Sequence, residues 1–197
     1  MGQRYFIDLR DIFSETISDL IGKKNKVIGA LFKLFFTFLE KKVLNNASGV
    51  NIVSEGFREY FQDEGVNTSN WSFFPNGADR DFINLKLGTN ERNSKVKMIF
   101  YAGNIGSGQG LETIIPKLAK ILEADYRFVI VGDGSTLNLL RESIKRDNIN
   151  NVELLPPVQR IKLVEYYKDA DILFLHLNDF PAFKRVLPSK LFEYAAL

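Results

Sequence analysis

The fold is decided by residues 96–110, VKMIFYAGNIGSGQG, in which an apolar run ends in a glycine-rich loop. An apolar run of this length that stops at glycine is typical of a buried strand, here Val96 to Tyr101. The residues after the loop are apolar at helical spacing and predict a helix from about Leu111 to Leu122. Strand, loop and helix in this order predict the first part of a β-α-β unit.

The same alternation of strand and helix continues to residue 177. We predict strands at Arg127 to Val131, Val152 to Leu155 and Ile172 to Leu177, and helices at Thr136 to Arg146 and Ile161 to Lys168. Strands that alternate with helices of this length form a parallel sheet with right-handed crossovers. This half is therefore predicted to be a doubly wound, Rossmann-like α/β domain. Ligands of such sheets bind at the carboxyl ends of the strands.

Glycines fill the first loop at these carboxyl ends, from Gly103 to Gly110. The loop lacks the dinucleotide-binding fingerprint, because Leu111 stands where a set that begins at Gly106 requires glycine or alanine. It also lacks the phosphate-binding P-loop, because Gln109 replaces the essential lysine. Two interpretations remain open: a flexible backbone nest that approaches an anion closely, or glycines that only turn the chain from strand to helix.

A second candidate ligand element is the stretch from Leu187 to Ala196, LPSKLFEYAA. Ser189 suits a helix N-cap, and the residues after it are apolar at helical spacing. Lys190 and Glu193 would then lie one turn apart at a helix N-terminus. An ammonium and free backbone amides suit a phosphate there, and a carboxylate suits the hydroxyls of a sugar. An ordinary surface pair of lysine and glutamate is the alternative.

The single histidine, His176, lies in the last predicted strand. A catalytic role would require a partner carboxylate, and the sequence identifies none. We predict that His176 shapes the cleft from the end of its strand and transfers no proton.

The first 82 residues predict a smaller α/β region. We predict strands at Arg4 to Ile7, Gly49 to Val53 and Trp71 to Phe74, and a helix that begins at Ser54 and ends near Gly65. The first strand starts only a few residues into the chain and has no candidate neighbour before Gly49. We therefore expect that the chain lacks earlier strands of this region.

The stretch from Ile12 to about Asn46 is helical in character and carries an apolar stripe with lysines around it. The stripe consists of Ile28, Leu31, Phe32, Phe35, Phe38 and Leu39, and the lysines are Lys23, Lys24, Lys26, Lys33, Lys41 and Lys42. Lys33 and Glu40 bracket the most apolar part, so the helix is not predicted to cross a bilayer. Two interpretations remain open: a long helix packed in a core, or a helix that rests on anionic lipid with its phenylalanines inserted.

Composition excludes several classes of protein. The chain has 197 residues, of which 45% are hydrophobic, and this excludes general disorder. Its net charge of +2, from 26 basic and 24 acidic residues, provides no global basic field of the kind that nucleic-acid binders carry. The absence of cysteine and the single histidine exclude thiolate or histidine-rich metal sites and cysteine nucleophiles. No export signal is recognisable, and we expect a cytoplasmic protein.

Six motifs, taken in order, resemble those of the retaining glycosyltransferases of group 1, which have the GT-B architecture. The resemblance is strongest to bacterial enzymes that assemble O-antigen, capsule or exopolysaccharide. The motifs are Asp8 to Glu15, Val53 to Phe57, Phe74 to Asp79, Tyr101 to Asn104, Val131 to Gly134 and Pro188 to Glu193. Each motif alone is weak, whereas six in this order and spacing are specific. The resemblance covers nearly the whole chain.

The resemblance implies that the second lobe holds a nucleotide-sugar donor. The implied donor-binding residues are Gly103, Asn104, Gln109, Gly132, Val158, Lys190 and Glu193. Glu193 would bind the ribose, and Lys190 would bind the diphosphate together with the glycine-rich loop. The backbone near Val158 would lie close to the base. Transfer would proceed with retention and without a metal or another cofactor.

The resemblance also implies that the acceptor enters from the first lobe. The implied residues of the acceptor-side cleft are Asp8, Arg10, Asp11 and Glu15. The expected acceptor is a lipid-linked or oligosaccharide molecule. We further expect peripheral contact with an anionic membrane, at the inner face of the cell membrane, and no nucleic-acid partner.

The sequence departs from the family's pattern at three positions of the implied site. Many relatives carry arginine and lysine where this chain has Asn104 and Gln109, and a glutamate where it has Arg185. The cations of the site are therefore expected to be redistributed onto Lys190, Lys184 and Arg185. A subgroup of the polysaccharide enzymes shares the Gly-Asn and Gln-Gly pattern.

We therefore predict a partial acceptor lobe at residues 1–82, a linker at 83–95 and a donor lobe at 96–197. The chain is expected to be truncated at both ends and, being incomplete, inactive on its own. The predicted activity is that of a hexosyltransferase in cell-surface polysaccharide biosynthesis. The alternatives are a nucleotide-sugar 2-epimerase, or a non-catalytic subunit that binds a nucleotide sugar or serves as a scaffold.

Overall fold

The computed structural model describes residues 4–22, 26–78, 80–83 and 95–197. The chain divides into two compact units. Unit 1 consists of Met1–Gly77 together with Asp179–Ser189, and unit 2 consists of Ala78–Asn178 together with Lys190–Leu197. The linker predicted at 83–95 lies almost wholly outside the described residues, so the predicted boundaries of the lobes stay a prediction.

Unit 1 is built on a parallel sheet of three strands, in the order β1-β2-β3. Its elements are β1 (Phe6–Leu9), α1 (Phe13–Gly22), α2 (Lys26–Asn46), β2 (Gly49–Ile52), α3 (Glu55–Asp63), β3 (Trp71–Phe73) and a 3-10 helix at Pro181–Arg185. The stretch predicted to be helical from Ile12 to about Asn46 therefore contains two helices, α1 and α2, which pack on each other.

Apolar side chains from one face of this sheet and from α3 form the core of unit 1. Ile52 of β2 and Phe57 and Phe61 of α3 are fully buried. The ring of Trp71 in β3 meets the ring of Phe61 at a centroid distance of 5.7 Å. Because alternate residues of a strand point to opposite faces of a sheet, Ile52 is buried while Asn51 points to the other face.

The apolar stripe predicted on α2 lies at the surface of unit 1. Each of its six residues is at least 37% exposed, and the neighbouring Val27 and Leu34 reach 70% and 72%. Within the described residues, the stripe is therefore not packed into a core, whereas Leu44 of the same helix is buried in the core of unit 1. Lys23 and Lys24, predicted to flank the stripe, lie outside the described residues. None of the helices in the described ranges has the length and apolar character needed to cross a lipid bilayer.

Unit 2 contains a parallel sheet of four strands, in the order β6-β5-β4-β7. Its elements are α4 (Arg80–Ile83), β4 (Lys97–Ala102), α5 (Leu111–Ile121), β5 (Tyr126–Val131), α6 (Leu137–Arg146), β6 (Val152–Leu155), α7 (Arg160–Asp169), β7 (Ile172–Leu173) and α8 (Ser189–Ala196). The prediction of a doubly wound α/β domain is confirmed.

Alternation along β4 sends its side chains into two separate layers of core. Ile99 and Tyr101 are buried in the layer that α5 and α6 cover. Met98 and Phe100 point the other way and pack with Tyr167 of α7. A central parallel strand is thus apolar on both faces, which is why its sequence is a continuous apolar run.

β7 is shorter than the predicted strand from Ile172 to Leu177. It pairs with β4 through Ile172 and Leu173, and the amide of Phe174 adds one more hydrogen bond to the carbonyl oxygen of Phe100 at 2.8 Å. Farther along, the amide of Asn178 donates to a loop carbonyl, not to a strand. The apolar run continues beyond Phe174, but by Asn178 the backbone bonds to the glycine-rich loop instead of to β4. The strand therefore ends before the apolar run does.

Two glycines meet where β4 and β5 end. The amide of Gly103 donates to the carbonyl oxygen of Val131 at 2.9 Å, and Gly132 then lies directly against the carbonyl oxygen of Gly103. The φ of Gly132 is +153°, a backbone conformation that L side chains rarely adopt. The close approach of the two loops therefore requires a residue without Cβ at position 132.

Gly132→Ala is expected to destabilise unit 2. The added Cβ would overlap the carbonyl oxygen of Gly103, which belongs to the backbone and cannot swing aside. We expect the free energy of unfolding to fall by roughly 2 kcal/mol or more, measured by denaturant unfolding followed by circular dichroism. Gly77→Ala is the matched control, because nothing lies within 4 Å of its Cβ position. Equal effects of the two substitutions would contradict this explanation.

Candidate functional site

Unit 2 has a cleft of about 460 Å³ at the carboxyl ends of its strands. The residues that line it are Ala102, Gly103, Asn104, Val131, Gly132, Asp133, Pro157, Val158, Leu163, Tyr167, Lys190 and Glu193. This volume lies in the range of small-molecule sites in proteins, and the position is the one at which parallel α/β sheets bind ligands.

Six of the seven donor-binding residues predicted from the sequence line this cleft. They are Gly103, Asn104, Gly132, Val158, Lys190 and Glu193. Gln109, the seventh, is not one of the lining residues. Its side-chain oxygen instead accepts hydrogen bonds from the side-chain amide of Asn104 at 3.1 Å and from the amide of Gly106 at 3.3 Å. Gln109 therefore holds the loop together from within.

Lys190 is the cation of the cleft. Its ammonium lies against the Cα of Gly103, in the place that a side chain at position 103 would take, and 5.1 Å from the ring centroid of Tyr101. Burial lowers the pKa of Lys190, and the charge of Glu193 acts in the opposite direction. The ammonium is thus partly buried and faces the backbone of Gly103, which has no side chain.

Tyr101 is a residue of the site that the sequence did not identify. Its hydroxyl donates to the carbonyl oxygen of Asn104 at 2.6 Å, and its ring lies beneath the ammonium of Lys190. Burial raises the pKa of Tyr101 to about 12, so the phenol stays neutral and remains a donor at ordinary pH. Tyr167 and Leu163 of α7, which line the cleft directly, were not predicted either.

The loops after β4 and β5 are joined by hydrogen bonds between them. The amide of Ile105 donates to the carbonyl oxygen of Asp133 at 2.8 Å, and the hydroxyl of Thr136 donates to the carbonyl oxygen of Ile105 at 2.9 Å. The carboxylate of Asp133 accepts from the amide of Gly134 at 2.7 Å. These bonds fix the two loops as one wall of the cleft.

Asp8, Arg10 and Asp11, predicted for the acceptor side, lie in unit 1 at the end of β1. Asp8 accepts hydrogen bonds from the side chains of Asn51 and Arg10, each at 2.8 Å, and these bonds hold the pKa of Asp8 below its ordinary value. Asp8 lines a groove of about 420 Å³ on the uncovered face of the sheet, and Asp11 is exposed nearby. Unit 1 thus carries a polar surface at this strand end.

Glu15, the fourth predicted acceptor-side residue, is buried in unit 1 with 6% exposure. Its carboxylate pairs with the guanidinium of Arg185 at 2.8 Å. The guanidinium also lies 5.0 Å from the ring centroid of Tyr60, and the hydroxyl of Ser54 donates to the Arg185 carbonyl oxygen. The structure therefore does not bring Glu15 to the surface with Asp8.

The sequence predicted that Lys190, Lys184 and Arg185 carry the positive charge of the site. One of these three residues lines the cleft. Lys190 lines the cleft, whereas Arg185 is paired with Glu15 inside unit 1. Lys184 forms an exposed ion pair with Asp179 at 3.4 Å. The cleft of unit 2 therefore receives its positive charge from Lys190.

The cleft is chemically suited to an anion that is joined to a polyol. An ammonium, the N-terminal end of α8 and the amides of a glycine-rich loop favour a phosphate. Glu193, one turn after Lys190, provides a carboxylate that accepts hydrogen bonds from hydroxyls. Within the described ranges, no three His, Asp or Glu side chains converge in a way that could hold a metal ion.

Lys190→Met is expected to stabilise the fold at neutral pH. Because burial lowers the pKa of Lys190, the charged form is disfavoured in the folded state, and this cost is present in full below the folded pKa. The cost disappears as the pH rises through the folded pKa toward the unfolded one. The melting temperature of the variant should therefore exceed that of the wild type at pH 7, and the difference should shrink under alkaline conditions.

Lys117→Met, on the exposed surface of α5, is the matched control and should leave the melting temperature nearly unchanged at pH 7 and under alkaline conditions. A Lys190→Met variant that is less stable than the wild type at pH 7 would show that the contact with Tyr101 outweighs the cost of burial.

Comparison with known proteins places the chain in a family. Residues 84–196, more than half of the chain, match the family described as glycosyl transferases group 1. The chain is 28% identical over 205 residues to the putative colanic acid biosynthesis glycosyl transferase WcaI of Escherichia coli (strain K12), and the match takes in 100% of this chain and 50% of that protein.

Solved structures of the same fold are also known. WaaG, a glycosyltransferase involved in lipopolysaccharide biosynthesis, has a TM-score of 0.68 at 13% identity, over 99% of this chain and 54% of WaaG. HepE of Anabaena, solved in complex with UDP and glucose, has a TM-score of 0.55 at 16% identity, over 87% of this chain and 45% of HepE. The chain spans about half the length of these relatives, and its fold is that of part of a GT-B enzyme. It belongs to the group 1 family of glycosyltransferases.

Proposed function

We propose that the protein transfers a hexose or an N-acetylhexosamine from a nucleotide diphosphate to an acceptor in the biosynthesis of a cell-surface polysaccharide. The observation that carries the proposal is the convergence of Lys190, Glu193 and the loop of Gly103 on one cleft. Two relatives support it. HepE, of the same fold, is solved with UDP and glucose, and WcaI is named for colanic acid biosynthesis.

Each part of the donor has a counterpart in the cleft. The diphosphate binds beside the ammonium of Lys190, against the loop that begins at Gly103 and close to Gly132. The carboxylate of Glu193 accepts hydrogen bonds from the ribose hydroxyls, and the base lies near the backbone of Val158. Charge-assisted hydrogen bonds of this kind are the strong ones in ligand sites.

Transfer proceeds with retention and without a metal. The bond that breaks joins the anomeric carbon of the sugar to a phosphate oxygen, and the nucleoside diphosphate leaves with that bonding pair. The acceptor hydroxyl forms the new bond on the same face of the sugar, and its proton passes to the phosphate oxygen that departs from that face. Negative charge grows on the departing diphosphate, where Lys190 and the N-terminal dipole of α8 stabilise it.

The donor proposal predicts that the two charged residues act on different parts of the nucleotide. Lys190→Ala should weaken the binding of UDP about tenfold to hundredfold, because it removes a charge-assisted contact, and should leave the binding of uridine nearly unchanged. Glu193→Ala should weaken both ligands, because both contain the ribose. Isothermal titration calorimetry with UDP, GDP and uridine measures these effects and shows which base is preferred.

Lys184→Ala and Glu165→Ala are the matched controls, since both side chains form exposed ion pairs outside the cleft. UDP binding that is unchanged in both the Lys190 and the Glu193 variants would mean that the nucleotide binds elsewhere. Failure of the wild-type protein to bind either UDP or GDP would contradict the donor proposal itself.

We further propose that α2 rests on an anionic membrane and that the acceptor is lipid-linked. Leu31 and Phe38 of the apolar stripe and the neighbouring Val27 and Leu34 recur at helical spacing on α2, and each is at least 62% exposed. Lys33 lies beside Leu34 and Phe38 in a shallow surface groove. Apolar side chains that insert and lysines that meet anionic headgroups are the two signals that bind a helix to a lipid surface.

The charge of the lysines on α2 is partly compensated within unit 1. Lys41 pairs with Glu64 at 2.7 Å, and Lys33 approaches the buried carboxylate of Glu15 at 3.9 Å. Lys42 is exposed. We therefore expect the apolar stripe to contribute more to membrane binding than the lysines whose side chains the structure describes. We propose that the enzyme binds peripherally at the inner face of the cell membrane, where a lipid-linked acceptor is within reach.

The double variant Leu34→Ser with Phe38→Ser should bind vesicles of phosphatidylcholine and phosphatidylglycerol about tenfold more weakly than the wild type, since it removes two inserting side chains. Sedimentation with the vesicles measures the bound fraction. Ile121→Ser with Ile161→Ser is the matched control, because these residues of unit 2 are equally exposed, at 77% and 76%, and lie outside the stripe. They should not change the bound fraction.

Vesicles of phosphatidylcholine alone should bind the wild-type protein less than the anionic vesicles do. The membrane proposal would be contradicted if the wild-type protein bound neither kind of vesicle and instead formed dimers that the Leu34 and Phe38 variant abolishes. The stripe would then be the contact surface for a second copy of the chain.

A further inference from the structure

The glycine-rich loop of unit 2 is held from outside the cleft by the segment that follows β7. The backbone amide of Asn178 donates to the carbonyl oxygen of Gly108 at 2.8 Å, and its side-chain amide donates to the carbonyl oxygen of Ser107. The side-chain oxygen of Asn178 lies against Gly110, in the place that a Cβ would occupy. One residue therefore contacts three neighbouring positions of the loop.

His176 contacts the remaining position of this part of the loop. Its Nδ1 lies 2.6 Å from the carbonyl oxygen of Gln109. A carbonyl oxygen only accepts hydrogen bonds, so Nδ1 must carry a proton in the neutral and in the charged form of the ring. His176 thus acts as a fixed hydrogen-bond donor to the loop.

Gln109 connects these contacts to the cleft. Its backbone carbonyl is held by His176, and its side-chain oxygen accepts a hydrogen bond from Asn104, which lines the cleft. The same oxygen accepts from the amide of Gly106. A chain of three hydrogen-bonded residues therefore runs from the end of β7 to the wall of the cleft.

We propose that His176 and Asn178 are positioning residues for the diphosphate of the nucleotide sugar, and that they fix the loop in its anion-binding conformation before the nucleotide arrives. The inference rests on the proposed donor function. The loop contains glycine at positions 103, 106, 108 and 110, and glycine has the most backbone freedom to lose. Contacts that already order the loop in the free protein reduce the entropy that binding must remove.

Three substitutions test these hydrogen bonds. His176→Phe keeps a ring and removes the donor, whereas His176→Asn places a side-chain amide near the position of Nδ1 and retains a donor. Asn178→Asp is nearly isosteric but turns an acceptor toward the carbonyl oxygen of Ser107. The first and third variants break the contact with the loop, and the second tests whether a donor alone restores it.

Calorimetry with UDP is expected to show an affinity about threefold to tenfold lower for His176→Phe and for Asn178→Asp, the effect of one lost hydrogen bond, and near wild-type affinity for His176→Asn. Uridine, which lacks the diphosphate, should bind all variants alike. Amide hydrogen exchange of residues 103–110 in the nucleotide-free protein should become faster in the first two variants and stay unchanged in His176→Asn.

The outcomes separate this inference from the donor proposal. If Lys190→Ala loses UDP while His176→Phe and Asn178→Asp keep both UDP affinity and slow exchange, the positioning role is overturned and the donor site stands. If His176→Asn behaves like His176→Phe and both lower the melting temperature, the contact is merely structural. If the wild-type protein binds neither UDP nor GDP, the donor proposal fails and the positioning role fails with it.

Discussion

The register between β4 and β5 is the constraint on which the rest of unit 2 depends. Ala102 lies opposite Val131, so the two strands end level with each other and the next residues, Gly103 and Gly132, come into backbone contact. Residues with side chains would hold the two loops apart. Because both loops begin from one level edge, they form one wall of the cleft, and the ammonium of Lys190 can lie directly on Gly103.

Much of this arrangement is predictable because its signals are local. The predicted β4 and α5 differ from the observed elements by a residue at their ends, since an apolar run that stops at glycine has few other interpretations. Lys190 and Glu193 reach the cleft for a similar reason: their spacing on one helix already sets their separation. Tyr101 escapes such reasoning, because a tyrosine within an apolar run is typical of core and its contact with Lys190 spans the sequence.

The features that the sequence did not yield are long-range. Glu15 and Arg185 are 170 positions apart, and no spacing rule joins them, yet their ion pair offsets part of the cost of burying the Glu15 carboxylate in unit 1. Glu15 lies in the same motif as the exposed Asp8, Arg10 and Asp11, so the neighbouring sequence does not indicate that Glu15 is buried. The exposure of α2 has the same origin, because a helical apolar stripe specifies a face but does not specify what covers it.

Lys190 shows how the site combines stability and function. Burial disfavours its charge in the free protein, and the ring of Tyr101 offsets part of that cost while its own raised pKa keeps it neutral. A diphosphate against the loop of Gly103 would reverse the balance, because nearby negative charge favours the ionised ammonium. A cation that is poorly solvated by water before binding interacts more strongly with an anion afterwards. One half-buried lysine can therefore supply positive charge to the cleft without a cation in the glycine-rich loop itself.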